Sequence, residues 1–218
     1  MADPKEDRRA EKEPGHGPRT AAPRFGKDYW ERHWTGAANG GHAPVNPHVR
    51  TETAGLAAGT ALDAGCGRGT EAIWLAERGW RVTGADISAT ALAAAARRAE
   101  RAGLAGAAEW IEADLTVWEP GRTWDLVTTA YAHPETGQLA FYERVGSWVA
   151  PGGTLLVVAH LHDSGHEDAE AAPAAMAALF TGPRWRIGAC YERARTVVRP
   201  DGRPVPLRDA VVRAHRSR

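Results

Sequence analysis

Asp63-Ala-Gly-Cys-Gly-Arg-Gly69 closes a short apolar run and opens a stretch of helical length. Glycines at 65, 67 and 69 let the backbone turn sharply and let a ligand approach without a Cβ in the way. The helix that follows Gly69 presents free N–H groups. Three alternating glycines also lose more conformational entropy than a plain turn requires, which favours a ligand-holding loop over a merely tight connection.

Outward from this loop the chain repeats one rhythm. Ala61–Asp63, Arg81–Ala85, Glu109–Glu112, Asp125–Thr129 and Thr154–Ala159 read as strands, and residues 70–78, 88–102 and about 136–149 as helices between them. Ser88 suits the N-cap of the second helix and Gly103 its left-handed end. Crossovers of this length make neighbouring strands parallel with right-handed connections, hence an open α/β sheet with helices on both faces. Near the C-terminus, Trp185–Val197 and Val205–Arg213 read as extended segments joined through Pro200-Asp-Gly-Arg-Pro204, which predicts an antiparallel hairpin edge.

The 218 residues carry 27 basic and 27 acidic side chains, a formal charge of zero, which argues against a generic nucleic-acid binder. No apolar run approaches the roughly 20 residues that span a bilayer. With two cysteines and no apolar leader, a reducing cytoplasm is expected. Residues 1–22 hold five acidic and five basic side chains and read as a disordered tail. Residues 23–218 read as a single domain, with an aromatic-rich N-terminal lid helix over about 25–50 and turn chemistry from Gly36 to Pro47.

Open parallel sheets bind ligands beyond the carboxyl ends of their strands. There Asp86 can accept both hydroxyls of a ribose, which implies a nucleoside. Asp114, directly before Leu115, suits an exocyclic amine beside an apolar wall. A nicotinamide-binding loop wants G-x-G-x-x-G, but the sixth position here is Thr70. Asp63 would repel a pyrophosphate and welcome a cationic amino group, so the charges favour an amino-acid nucleoside.

The motifs Asp63-Ala-Gly-Cys-Gly-Arg-Gly, Asp86-Ile-Ser, Glu112-Ala-Asp-Leu115, Trp124-Asp-Leu-Val-Thr-Thr-Ala-Tyr131 and Pro151-Gly-Gly153 resemble, in order and spacing, those of class I S-adenosylmethionine-dependent methyltransferases. The resemblance covers about residues 25–217 and is nearest to small bacterial enzymes of the tellurite-resistance and thiopurine type, which also open with a Trp-rich helix like Tyr29-Trp-Glu-Arg-His-Trp34. It implies a Rossmann-like, seven-stranded, mostly parallel sheet with a reversed last strand. It implies S-adenosyl-L-methionine as cofactor, with Asp63, Gly65, Cys66, Gly67 and Gly69 around the methionine part, Asp86 and Ile87 at the ribose, Asp114 and Leu115 at the adenine, and Thr129 and Ala130 beside them. A fold relative that binds the cofactor without transferring methyl, and an NAD(P)-dependent oxidoreductase, stay as alternatives.

For the acceptor the motifs are nearly silent. Thr128-Thr-Ala-Tyr-Ala-His-Pro134 lacks an Asn-Pro-Pro-aromatic signature, so methylation of amides or nucleobase amino groups loses support. A small-molecule O, N or S acceptor is expected, handled by a monomer or homodimer. Histidine is the base best suited to neutral pH, and His133, after the fourth strand, is the catalytic candidate. Tyr29, Trp30, His33, Trp34 and His42 are expected to form the lid, with His160 on the substrate side. His160, His162 and His166 raise the question of a metal, but a solvated loop is the better reading and no metal is expected. Cys66 reads as packing between the glycines, not as a nucleophile.

Overall fold

The computed structural model describes residues 25–36, 44–161, 172–198 and 202–218. The tail over 1–22, the lid candidate His42, the loop histidines His162 and His166, and the turn around Pro200 lie outside the described residues.

Period-2 apolar alternation builds the strands. In β1 (Thr60–Ala64), Leu62 and Ala64 join one cluster with Val127, Leu155 and Val157, while Ala61 joins Leu75, Val82 and Leu126 on the opposite face. β2 (Arg81–Asp86), β3 (Ala108–Glu112), β4 (Trp124–Ala130) and β5 (Val149–Leu161) complete a parallel block with β1. β6 (Trp185–Val198) and β7 (Pro204–Arg216) form a long antiparallel hairpin, and β7 is inserted beside β5. The seven-stranded order is β3-β2-β1-β4-β5-β7-β6, as expected for a Rossmann-like sheet with a reversed strand.

Helices cover both faces. α3 (Thr70–Ala76) and α4 (Ala89–Arg101) pack on the β1–β3 side. α5 (Gln138–Ser147) buries Phe141, Tyr142 and Val145 against Leu155 and Val157 on the other face. Ser88 Oγ accepts the Ala91 N–H at 3.2 Å, and Gly103 has φ +73°, so the second crossover starts and stops where its sequence directs. At the N-terminus the structure departs from a single lid helix over 25–50. α1 (Lys27–Gly36) is followed by a separate α2 (Pro47–Thr53), which begins with proline at its first position and Asn46 Oδ1 accepting the His48 N–H at 2.9 Å. A short α6 (Pro173–Ala178) was likewise unforeseen, because six residues give too little periodicity to read.

Candidate active site

The loop after β1 has three left-handed glycines, with φ of 78° at Gly65, 51° at Gly67 and 71° at Gly69. A β-carbon at any of them would be strained and would force a neighbour to shift, because protein atoms already use part of the space. A Cβ on Gly67 would lie 2.7 Å from the Trp34 ring, one on Gly69 2.5 Å from Trp110, and one on Gly65 2.7 Å from the Ala132 methyl. The loop is thus shaped from three directions, by α1, by β3 and by the segment after β4.

Asp63 sits beneath this loop, 2 % exposed, with Oδ1 accepting the Thr128 hydroxyl at 3.2 Å. Its Oδ2 is buried with no full hydrogen bond, only the Ala72 N–H of α3 acting on the carboxyl, and Thr129 Oγ1 at the end of β4 is buried without a partner. A buried carboxylate oxygen left alone is costly unless something outside the chain completes it. Burial, then the nearby charge of Glu71, push the Asp63 carboxyl up to about 8 against the Thr128 hydrogen bond. Glu71 was not singled out in the sequence; half-buried at the start of α3, it accepts the Asn46 N–H at 3.0 Å and is itself raised, first by desolvation. An acid one residue into a helix that follows a glycine loop is the signal that would have found it.

Asp86 is 7 % exposed and accepts the Gly67 N–H at 2.7 Å and the Ser88 N–H at 2.9 Å. It therefore fixes the glycine loop as well as closing β2, and burial raises its pKa against those bonds. Ile87 is half-buried beside it. Asp114 is exposed and accepts both the N–H and the hydroxyl of Thr116, at 2.9 and 2.6 Å, so it closes its own turn. Leu115 is buried in the main core, and Ala130 packs beside Val158. Cys66 is buried against Gly84, and burial pushes its thiol well up.

α1 crosses the carboxyl ends of the strands. Lys27 pairs with Glu112 at the end of β3, Glu31 accepts the Ala89 N–H at 2.7 Å at the start of α4, and Trp34 lies on the glycine loop with the Arg68 guanidinium 5.7 Å from its ring centroid. Trp30 runs nearly parallel to His133, at 6.5 Å and 6°, and Phe25 lies 5.6 Å from the same imidazole. Tyr29 and His33 extend this aromatic layer, with ring centroids 6.4 Å apart. Tyr29, Trp30, Trp34 and His133 are thus brought to one side of the loop.

His160 lies elsewhere on the same edge. It stacks on Tyr131 at 3.7 Å, and its Nδ1 is 3.2 Å from Oδ1 of the fully buried Asp209 on β7. Among the described residues no group of three or more His, Cys, Asp or Glu is disposed to hold a metal. Asp209, His48 and Arg195 were missed in the sequence, although a lone acid beside the apolar run Ala210-Val-Val212 was a readable signal.

This strand order, with a glycine loop after β1 and an acid ending β2, defines the class I fold of S-adenosylmethionine-dependent methyltransferases. Residues 61–153 match the family model described as a methyltransferase domain. It is 30% identical over 136 residues to a probable thiol methyltransferase of Arabidopsis thaliana, covering 59% of this chain and 60% of that protein. The chain thus spans about three fifths of that curated relative. A methyltransferase from Thiobacillus denitrificans, solved with S-adenosyl-L-homocysteine, aligns at 27% identity and TM-score 0.52 over 61% of this chain and 56% of that one. TehB from Haemophilus influenzae has the same fold at TM-score 0.68 and 14% identity, over 87% of this chain and 67% of that one. The cofactor of the class is S-adenosyl-L-methionine, and the residues fit it: its cationic amino group would complete the orphaned oxygen of Asp63.

Proposed function

We propose that the protein moves the methyl group of S-adenosyl-L-methionine to a small-molecule acceptor and releases S-adenosyl-L-homocysteine. The observation that carries this reading is the buried, half-partnered Asp63 carboxylate under three left-handed glycines. A carboxylate there opposes a pyrophosphate and favours an ammonium. When bound, the cofactor supplies an electrophilic methyl on a sulfonium. The chain supplies position: Asp63 and the glycine loop for the amino-acid part, Asp86 for the ribose, and Asp114 and Leu115 for the adenine. The aromatic layer of Phe25, Tyr29, Trp30 and Trp34, with His133, forms the acceptor's wall and keeps water out. In our reading the catalytic domain begins at residue 23, follows a tail over 1–22, and works in the cytoplasm as a monomer or homodimer. No helix among the described residues is long and apolar enough to cross a membrane.

Calorimetry with S-adenosyl-L-methionine, followed by turnover against an acceptor library, tests the reading. Binding without turnover on any acceptor would favour a protein that holds the cofactor and does not transfer methyl.

Asp63 also makes the binding pH-dependent. Below about 8 the ligand-free site holds a proton that an ionised Asp63 must lose to face an ammonium. Binding of S-adenosyl-L-homocysteine at pH 7 should therefore release close to one proton, and affinity should weaken toward acid by up to about tenfold per pH unit. For folding the sign is opposite to that of a paired carboxylate. The folded state holds the extra proton between about 4 and about 8, so this group's contribution to stability falls as pH rises through that window. Calorimetry in buffers of different ionisation enthalpy measures the proton directly, and zero release would remove Asp63 from the site.

Asp86→Ala should weaken cofactor binding by about 2 kcal/mol, roughly thirtyfold, with the fold intact. Wild-type affinity in that variant would exclude Asp86 from the site.

A further inference from the structure

We infer that the side-chain amide of Asn46 holds the α-carboxylate of the cofactor's amino-acid part, opposite the ammonium that Asp63 faces. The inference rests on the methyl-transfer reading above and deepens it, by naming a residue that reads the charged end of the ligand.

Asn46 is 5 % exposed and stands at the head of α2. Its other polar groups are committed. The N–H donates to Glu71 Oε1 at 3.0 Å, the C=O accepts the Arg50 N–H at 3.1 Å, and Oδ1 accepts the His48 N–H at 2.9 Å. A backbone N–H can only donate, so the oxygen of the amide faces His48 and Nδ2 faces the other way. Nδ2 is buried with no full hydrogen bond and acts at longer range on the Tyr131 hydroxyl, just past the end of β4. That hydroxyl already accepts Arg195 Nη2 at 2.8 Å. Amide donors left buried and unpaired cost free energy, which is recovered when something outside the chain accepts them.

The partners of Asn46 place it over the crevice where this fold takes its ligand. β1 and β4 are neighbours in the sheet, but the chain leaves β1 towards β2 on one side and β4 towards β5 on the other. Ligands of open α/β sheets bind beyond the strand ends at such a point. Asn46 is bonded to one wall, at Glu71 in the first turn of α3, and acts on the other, at Tyr131. The same two walls meet where Gly65 approaches Ala132.

On β1, Asp63 Oδ2 is likewise buried with no full hydrogen bond. Glu71 links the two residues, bonded to Asn46 and near enough to Asp63 for its charge to raise that carboxyl. An ionised carboxylate only accepts and an amide nitrogen only donates. A zwitterionic amino acid brings the complement of each: an ammonium, which only donates, and a carboxylate, which only accepts. One ligand therefore satisfies both atoms, the ammonium on Asp63 and the carboxylate on Asn46. A lysine or arginine in this position would be drawn to Asp63 and Glu71 and would compete with the ammonium, whereas an amide donates without competing.

The full chain is titrated by calorimetry with S-adenosyl-L-homocysteine and with its decarboxylated form, which keeps the nucleoside and the ammonium and lacks the carboxylate. The wild-type chain should bind the intact ligand about tenfold to a hundredfold more tightly, the scale of hydrogen bonds to a charged acceptor. Asn46→Ser keeps an oxygen that can cap α2 and removes the amide donors. It should bring the two affinities within a few-fold of each other, by weakening the intact ligand and leaving the decarboxylated one as in wild type. The four affinities form a double-mutant cycle, in which any effect of the substitution on folding or on the loop is common to both ligands and cancels. Asn46→Asp, of nearly the same shape, should go further and make the decarboxylated form the tighter ligand, because carboxylate would then face carboxylate.

Equal weakening of both ligands in Asn46→Ser, an undiminished preference for the intact ligand, or a wild-type chain that does not distinguish the two would overturn the inference. Nitrogen-15 spectra of the wild-type chain decide the point without any variant. The Asn46 side-chain amide should resonate at a different position with the intact ligand than with the decarboxylated one, and identical positions would overturn the inference as well. Failure of the wild-type chain to bind either form is a different result, and overturns the methyltransferase reading instead.

Discussion

Asp209→Ala should lower the unfolding free energy by about 3–5 kcal/mol, because it leaves buried charge without its partner. Three donors converge on this one carboxylate: Arg195, His48 and His160. His48 is 4 % exposed and cannot turn to water without opening α2 from the sheet. In a chain of this size the loss corresponds to a fall in melting temperature of roughly 10 °C. Asp209→Asn, which keeps the shape and one acceptor oxygen, should lose less. Urea unfolding of the two variants measures the difference, and a loss under about 1 kcal/mol in the alanine variant would mean that water replaces the carboxylate.

Gly69→Ala combines two penalties that a second glycine separates. At φ +71° an alanine is strained by about 1–2 kcal/mol. Its methyl would also lie 2.5 Å from Trp110 Cη2 and 2.9 Å from the Ala95 methyl, and overpacking of that kind costs a further 1–3 kcal/mol or so. Gly103 has nearly the same φ, +73°, but nothing lies within 4 Å of the place a Cβ would take. Gly103→Ala should therefore lose only the backbone strain, and Gly69→Ala roughly 2–5 kcal/mol, with cofactor affinity falling as the loop shifts. Equal losses in the two variants would show that Trp110 yields without cost and that Gly69 is required for its φ alone.

The sheet was legible because its information is local. Apolar alternation over five to seven residues defines β1 to β4, Ser88 and Gly103 mark the ends of α4 within their own turns, and the crossover lengths leave little choice but parallel pairing. The nearness of Asp63, the glycine loop and Asp86 was legible for the same reason, since each lies at a strand's carboxyl end, and topology brings those ends together. The short helices were not: α2 and α6, at seven and six residues, are held by packing, with Val49 and Met176 fully buried, and carry too few turns to show a period.

What the sequence determined by itself is the parallel sheet covered by helices and the residues that stand at its strands' carboxyl ends. What only the tertiary structure decided is which side chains meet there. Trp34 and Trp110 occupy the space that Gly67 and Gly69 leave, although 33 and 41 residues separate them from those glycines. His48, Tyr131, His160, Arg195 and Asp209 come from five separate segments of the chain and share one carboxylate or its neighbours. The physical reason is that backbone periodicity and capping act over a few residues, whereas a buried charge must be neutralised by whatever the packed sheet sets beside it, at any distance along the chain.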